Sequence, residues 1–452
     1  MKILVCVKVC KGEINPFDAS ALECALTLSD DVTVLSMGPE STKEILLPLT
    51  RIGAKVVLIS DKAFAGSDTL ATSYILSKAV EKLGYDLIVC GKQSVDGDTA
   101  QVGPMLSEMC GCNLATNVLK AKVCENALEV ETRNGNETVS FPALITVERS
   151  YVLRFPGIFS KPGTVETMDN TNLCCDVSKC GLDGSPTRVL KTFQNESGKR
   201  HCKFVEMSKL EDLIKELSQK QTVQLHEQKE CNKLESVWAV GEDVAKEAEK
   251  IAENVIVLPI GDPVEIAERA KKEKPDVILW NADLWGRKNA PIVAAVLETG
   301  LCADCTALDV ENDELIMYRP ASGGSLYAKI KCLTKPVMAT VRTKNESADI
   351  IVSGGKGVAD SIDKLSDFAG KIGASLCASR GLVDMGKAPY EMQVGLTGKT
   401  VSPKIYIAVG ISGAVHHTCA IEGADYVIAI NPDKDARIFE YADYGVIGKF
   451  EA

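Results

Sequence analysis

The chain has 452 residues, is 45% hydrophobic and 25% charged, and carries a net charge of −11. That length suits two to four domains with real cores, and the acidic balance argues against nucleic-acid binding, which wants a basic face. No apolar run reaches the roughly 18 residues of a membrane span. MKILVCVKVC reads as a first strand rather than a secretory leader, so a cytoplasmic setting is expected. The seventeen cysteines are scattered, and the tightest pairs are Cys110/Cys112, Cys302/Cys305 and the adjacent Cys174/Cys175. None is joined by histidines or a second close pair into a ligand set, so no metal is expected and the thiols read as small buried hydrophobes in a reducing compartment.

In chain order, Lys2–Val9 is a strand, Ala19–Leu28 a helix, and Val32–Met37 a second strand ending in Gly38-Pro39. Strand Lys55–Ile59, helix Asp68–Leu83 and strand Asp86–Cys90 continue an alternation that implies a doubly wound α/β sheet. Ligands of such sheets sit beyond the carboxyl ends of the strands. There the chain reads GKQSVDGDTAQVGP, in which Asp98 or Thr99 is expected to cap a helix with free N–H groups suited to a phosphate. An ordinary capped helix explains the same residues equally well.

From about Gln194 to Glu235 the composition turns to Lys, Glu and Gln. Ser208-Lys209-Leu210-Glu211 has the form of a capping box, and Leu210, Leu213, Ile214 and Leu217 make one apolar stripe. A docked amphipathic helix is expected in this linker. From Ser236 a second α/β segment echoes the first. Pro275–Leu279 answers Tyr85–Val89, Gly286 precedes a helix as Gly97 does, and Pro336–Arg342 answers Pro142–Glu148. Its opening after Trp238–Val240 is abbreviated, which puts the usual β-α-β start in doubt.

The last segment places strand Ile350–Ser353 before Gly354-Gly355-Lys356-Gly357, then helix Ser361–Ile372 and strands Lys404–Val409 and Tyr426–Ile430. After Val409 come Gly410, Ile411, Ser412, Gly413 and Ala414, a strand-to-helix turn whose N–H groups suit an anionic ligand, with Ser412 as the expected cap. His416 and His417 follow within one turn, where an imidazolium would face the same ligand. The serine-hydrolase elbow fails because Ala414 occupies the second glycine position, and a Walker loop fails because Gln393 stands where glycine is required.

The run SRGLVDMGKAPYEMQVGLTGKTVSPKIYIAVGISGAVHH, continuing to YVIAIN and EYADYGVIG, closely resembles the FAD-binding domain of the electron-transfer flavoprotein alpha subunit. Residues 2–193 resemble the beta subunit throughout, with GKQSVDGDTAQVGP as its nucleotide loop. The resemblance implies two similar doubly wound α/β domains facing each other plus a smaller Rossmann-like FAD domain. The implied segments are 1–193 (beta-like), 194–235 (linker), 236–345 (alpha N-terminal-like) and 346–452 (FAD domain), with hinges near Thr343–Ala348 and in the linker.

For the FAD domain the resemblance implies Arg380 over the isoalloxazine, His417 at its N1/C2=O edge and Thr397 near N5. Gln393, Ser412, Asn431 and Asp443 are implied for the remainder of the cofactor, with Gly355, Lys356, Ser379, Gly395, Gly398, Gly413, Ala414 and His416 around it. A cation at that edge favours the reduced, anionic flavin, because the protein's part is to set the charge around the ring. Leu396 and His416 each replace a usual Gln, Lys356 a usual Arg and Cys377 a common Gly, so an atypical potential is expected.

In the first domain Cys6, Val7, Lys8, Met37, Gly38, Asp96, Asp98, Thr99, Ala100, Gln101 and Val102 would hold a second nucleotide. In the electron-bifurcating branch this is FAD reduced by NADH, and in the other branch it is AMP. The loops favour the first. Leu173, read from the residues as one exposed Leu in a polar loop, is implied as an anchor for an acyl-CoA dehydrogenase-type partner, with ferredoxin or flavodoxin as a second acceptor. A non-redox nucleotide-binding regulatory protein is the rival from another class.

Overall fold

The structure is a computed structural model that describes residues 1–133, 135–194, 199–220, 233–322, 324, 326–343 and 349–450. It divides into two compact units. The first comprises Met1–Thr192, Cys231–Ser322 and Ala328–Val341, and the second Phe193–Glu230, Gly323–Tyr327 and Arg342–Ala452. Both are mixed α/β with parallel sheets. Parts of the expected linker (195–198 and 221–232) and the hinge residues 344–348 lie outside the described residues. Among the described residues no helix is long and apolar enough to cross a membrane.

The first unit begins β1 (Lys2–Cys6), α1 (Pro16–Leu28), β2 (Asp31–Met37), β3 (Lys55–Ile59), α2 (Thr69–Leu83), β4 (Leu87–Gly91), α3 (Val102–Cys110), β5 (Asn113–Cys124) and β6 (Ala143–Val147). The first strand stops at Cys6, short of the expected Val9. The strands lie side by side as β3-β2-β1-β4-β6-β5, all parallel. Strand Val165–Met168 adds beyond β3, and antiparallel Ala127–Thr132 and Gly135–Ser140 add beyond β5. Ile3, Leu4, Val5 and Leu87, Ile88, Val89 are fully buried, as an unbroken apolar run requires when helices cover both faces.

The same unit continues as β7 (Leu234–Val240), α4 (Glu242–Ile251), β8 (Ala252–Leu258), α5 (Pro263–Glu273), β9 (Val277–Asn281), α6 (Leu284–Val296), β10 (Leu301–Cys305) and β11 (Val337–Val341). The order β8-β7-β9-β11-β10 reproduces β2-β1-β4-β6-β5 strand for strand. The likeness extends to detail. The register slips between Ile145 and Val147 where β6 meets β5, and between Cys302 and Cys305 where β10 meets β11. At the two slips Asn117 and Asp304 take positive φ, and their N–H groups donate to the hydroxyls of Thr146 and Thr340.

Two expectations are corrected in this half. The β-α-β start is formed, because α4 runs directly into β8 with no intervening loop, and β7 and β8 pair in parallel. Gly286 does not precede a helix; it lies in the first turn of α6, where its N–H is held by the cap Asp283. Helices α3 and α6 pack on one another, and Met105 of α3 shares a core with Trp238, Trp280 and Val293.

The second unit carries a parallel sheet of β12 (Ile350–Gly354), β13 (Ser375–Ser379), β14 (Ile405–Val409), β15 (Tyr426–Asn431) and β16 (Tyr444–Ile447). Its order is β16-β15-β14-β12-β13, with Lys203–Phe204 added at the β16 edge and Gln393–Val394 at the β13 edge. Helix α7 (Ile362–Lys371) connects β12 and β13. The linker helix Leu210–Gln219 docks here through Leu210, Ile214 and Leu217, which are buried against Val352, Ile405 and Ile407. Its capping box does not form. A 3-10 turn, Met207–Lys209, leads into the helix, so Lys209 occupies the cap and the Ser208 hydroxyl turns to Glu206.

Candidate functional sites

In the second unit, β12 has β13 on one side and β14 on the other, so the connections leaving β12 and β14 go to opposite faces and a crevice opens between their carboxyl ends. A cavity of about 370 Å³ lies there. Its floor is backbone on backbone. A Cβ on Gly355 would sit 2.1 Å from the Gly410 carbonyl oxygen, and Gly410 itself has φ +64°, a conformation that favours glycine.

Around this floor stand Lys356, Ser379, Arg380, Gln393, Gly395, Leu396, Thr397, Ser412, Ala414, His416 and His417. The Arg380 Nε donates to Asp384 at 3.2 Å and the side chain is about one-third exposed. The Lys356 stem lies across Gly381, where any Cβ would strike it. Gln393 is only 1% exposed. Its Nε2 donates to the Thr397 hydroxyl at 2.8 Å, which leaves Oε1 buried without a partner among the described residues.

His417 differs from expectation. It is buried, its Nδ1–H donates to the Val394 carbonyl (3.1 Å), and the Tyr406 hydroxyl lies 2.9 Å from Nε2. Burial pushes its pKa down to about 4, against the opposing pull of the Val394 carbonyl. The ring is therefore neutral near pH 7 and is not the imidazolium anticipated from sequence. His416 is exposed at the rim.

Ser412 is exposed but caps nothing, because the helix after it is the four-residue Val415–Thr418 with Ala414 at its cap. Four expected residues stand behind the cavity rather than on it. Gly398 packs on the Gln393 carbonyl and Gly413 on the Ile438 backbone. The Asn431 Nδ2 holds the Ile411 carbonyl at 2.9 Å, and Asp443 accepts from Arg200 and from the Val427 N–H.

The first unit repeats the arrangement. Order β2-β1-β4 places a switch point between β1 and β4, and a cavity of about 300 Å³ lies beyond their carboxyl ends. Of the residues proposed for a second nucleotide, Cys6, Val7, Lys8, Met37, Thr99, Ala100, Gln101 and Val102 line it. Gly38, Asp96 and Asp98 do not. The Gly38 N–H donates to Ile59, Asp96 pairs with Lys8 at 2.8 Å, and Asp98 accepts from Gln93. Part burial pushes Asp96 up, but Lys8, Ser94 and the Gly97 N–H together outweigh it and hold the carboxyl at about 2.

Neither Asp98 nor Thr99 caps α3. Asp98 and Ala100 take positive φ, and Gln101 occupies the cap without a side-chain bond to the helix. Gln101 instead accepts from the Thr69 hydroxyl (2.7 Å) and donates to the Leu301 carbonyl (3.0 Å).

Gln93 and Ser94 of the expected nucleotide loop also line it, and four further lining residues had not been singled out: Asp18, Asp68, Thr69 and Thr72. Asp68 is the cap of α2, accepting from the N–H groups of Leu70 and Ala71, and Ser-Asp-Thr before an apolar-periodic run was the available signal. Asp18 gave none, since it sits inside α1. Burial pushes it up to about 7 despite the bond from the Lys8 N–H. Leu173 is also corrected. It is 5% exposed, because the capping box of Asp169 and Asn172 winds Asn170–Leu173 into a helical turn that puts the side chain into the core.

Two family models match the chain. One, described as the electron transfer flavoprotein domain, covers residues 3–172 and 264–362; the other, the electron transfer flavoprotein FAD-binding domain, covers 345–422. The chain belongs to the electron transfer flavoprotein family.

Relatives of this electron transfer flavoprotein carry the names of both subunits. The chain is 42% identical over 230 residues to the "Electron transfer flavoprotein subunit alpha" of Thermoanaerobacterium thermosaccharolyticum, covering 40% of this chain and 70% of that one. It is 39% identical over 199 residues to the "Electron transfer flavoprotein subunit beta" of Clostridium acetobutylicum, covering 40% and 76%. "Protein FixB" of Clostridium saccharobutylicum is 38% identical over 230 residues, covering 40% and 69%. A C-terminal FAD-binding domain implies FAD, and the second unit's cavity fits it. The unpartnered Gln393 acceptor awaits a donor, Gly355 and Gly410 keep side chains off the floor, and Lys356 and Arg380 supply positive charge.

Proposed function

We propose that this electron transfer flavoprotein joins a beta-like part and an alpha-like part in one chain. It would take electrons from NADH and deliver them to an acyl-CoA dehydrogenase-type flavoenzyme, with ferredoxin or flavodoxin as a second acceptor. The division into 1–193, 194–235, 236–345 and 346–452 belongs to the same reading, as does a cytoplasmic setting. Among the described cysteines all sixteen are free and ten are buried, which is compatible with it. The observation that carries the proposal is the pair of cavities, one in each unit, both at a switch point between parallel strands.

FAD, when bound, supplies reversible one- and two-electron chemistry. The residues proposed to hold it are Gln393, Thr397, Ser379 and Lys356. Arg380 would set the local charge, and the neutral His417, locked by Tyr406 and Val394, would position the loop at Gly395 and Leu396. In the first cavity Cys6 to Lys8, Met37 and Thr99 to Val102 would hold the second nucleotide.

A second reading places AMP there. The cavity's two lysines are both paired, Lys8 with Asp96 and Lys92 with the buried Glu148 at 2.8 Å, and this does not separate the readings, because a phosphomonoester and a pyrophosphate diester each carry about two negative charges. Denaturing the pure protein and quantifying FAD and AMP per chain decides between them. Two FAD support the bifurcating reading, one FAD plus one AMP supports the simple carrier, and no flavin after reconstitution refutes both.

A further inference from the structure

Cys6 and Cys90 are register partners on adjacent parallel strands, β1 and β4, each at the carboxyl end where the first cavity opens. Their side chains share one face of the sheet, packed with Leu4, Leu35 and Ile88. Neighbouring strands lie about 4.8 Å apart, inside the roughly 4.4–6.8 Å Cα separation that a disulfide spans. Both thiols are free and both line the cavity. Cys6 is half-buried, whereas Cys90 is 4% exposed. We propose that Cys6 and Cys90 form a peroxide-oxidisable dithiol, and that its disulfide and a bound nucleotide exclude one another. The exclusion rests on the reading of this cavity as a nucleotide site; the cross-link does not.

The chemistry balances with a peroxide as oxidant. The Cys6 sulfur attacks the O–O bond of hydrogen peroxide and becomes a sulfenic acid, releasing one water. The Cys90 sulfur then displaces the sulfenic oxygen as a second water, closing the S–S bond and returning both thiol protons to solvent oxygen. The more exposed Cys6 meets the oxidant first. The neighbouring Cys6 sulfur, followed by burial, drives the Cys90 thiol well above its usual range. The proton is thus retained on Cys90, which leaves the first attack to Cys6 and makes closure of the S–S bond, which needs the Cys90 thiolate, the slower step. A nucleotide in the cavity covers both sulfurs and so slows their oxidation, and the oxidised form is expected to bind nucleotide more weakly because drawing the two sulfurs together reshapes the wall that both line.

The test is peroxide treatment of full-length, nucleotide-stripped protein, followed by alkylation of the remaining thiols, digestion and mass mapping, with and without saturating AMP or FAD. The expected result is a Cys6–Cys90 cross-linked peptide, formed at least tenfold more slowly when nucleotide is bound and reversed by dithiothreitol. Cys90→Ser should lose the cross-link and accumulate a dimedone-reactive Cys6. No cross-link in the stripped protein, or one forming equally fast with nucleotide bound, overturns the proposal. Failure of both nucleotides to bind the first cavity refutes the site reading and the exclusion with it, and is visible separately because the cross-link is still read by mass.

Discussion

Gln393→Met tests the second unit's cavity because it moves two quantities in opposite directions. The wild-type side chain is 1% exposed, with one amide hydrogen bond made and the carbonyl oxygen left over. A buried acceptor without a partner costs about 1–3 kcal/mol, and the Thr397 bond returns about 0.5–1.5 kcal/mol. Methionine fills similar volume with no polar atom, so the flavin-free protein should be unchanged or stabilised by about 1–2 kcal/mol. If FAD satisfies that oxygen, the substitution removes a bond made only in the complex, and affinity should fall about 10- to 100-fold, equivalent to about 1.4–2.8 kcal/mol. Urea unfolding of the stripped protein gives the first quantity, and flavin fluorescence quenching on titration gives the second. An unchanged FAD affinity together with a destabilised stripped protein would refute the reasoning, since Gln393 would then be an ordinary core polar group.

The remaining predictions concern His417, the Lys92–Glu148 pair and Gly355. His417 is neutral when folded, with a pKa of about 4 against an ordinary 6.5, so the unfolded chain binds the extra proton first. The second unit should therefore lose stability as pH falls from 6.5 to 4, by up to about 3 kcal/mol; His417→Asn should flatten that slope, and an identical slope in both proteins would sink the assignment. Lys92→Met leaves Glu148 buried with Arg133 at 3.3 Å as a remaining cation, and should cost about 3 kcal/mol in urea unfolding, near the lower end for a broken buried pair; a loss under about 1 kcal/mol contradicts it. Gly355→Ala forces a Cβ to 2.1 Å from the Gly410 carbonyl oxygen and should cost about 1–3 kcal/mol with loss of bound flavin; a variant that keeps full flavin content would show that the two turns can separate freely.

What the sequence disclosed was the sheet and where its strands end. Runs such as residues 56–59 and Ile405–Val409 are apolar on both faces, and a residue buried from both sides needs no knowledge of its neighbours to be recognised. The internal echo was legible for the same reason, and the strand order bears it out down to the paired slips at Asn117 and Asp304. Helix starts were less legible. Ser208, Ser412, Asp98 and Thr99 all have the chemistry of a cap, yet none serves, because the preceding turn had already fixed where the helix begins. Asp18 and Leu173 were missed because burial is decided by the fold: one carboxylate lies inside a helix beneath Gly91, and one leucine is turned inward by a single capped turn.

The bond from Gln101 to the Leu301 carbonyl joins residues 200 apart in one chain. Were the two halves of the first unit separate polypeptides, the shape of the first cavity would follow mass action, loosening on dilution as the partners came apart. A covalent tether replaces the partner's bulk concentration with an effective one that does not change on dilution. The loop from Thr99 to Val102 is then held in place at any expression level, and its occupancy depends only on the ligand.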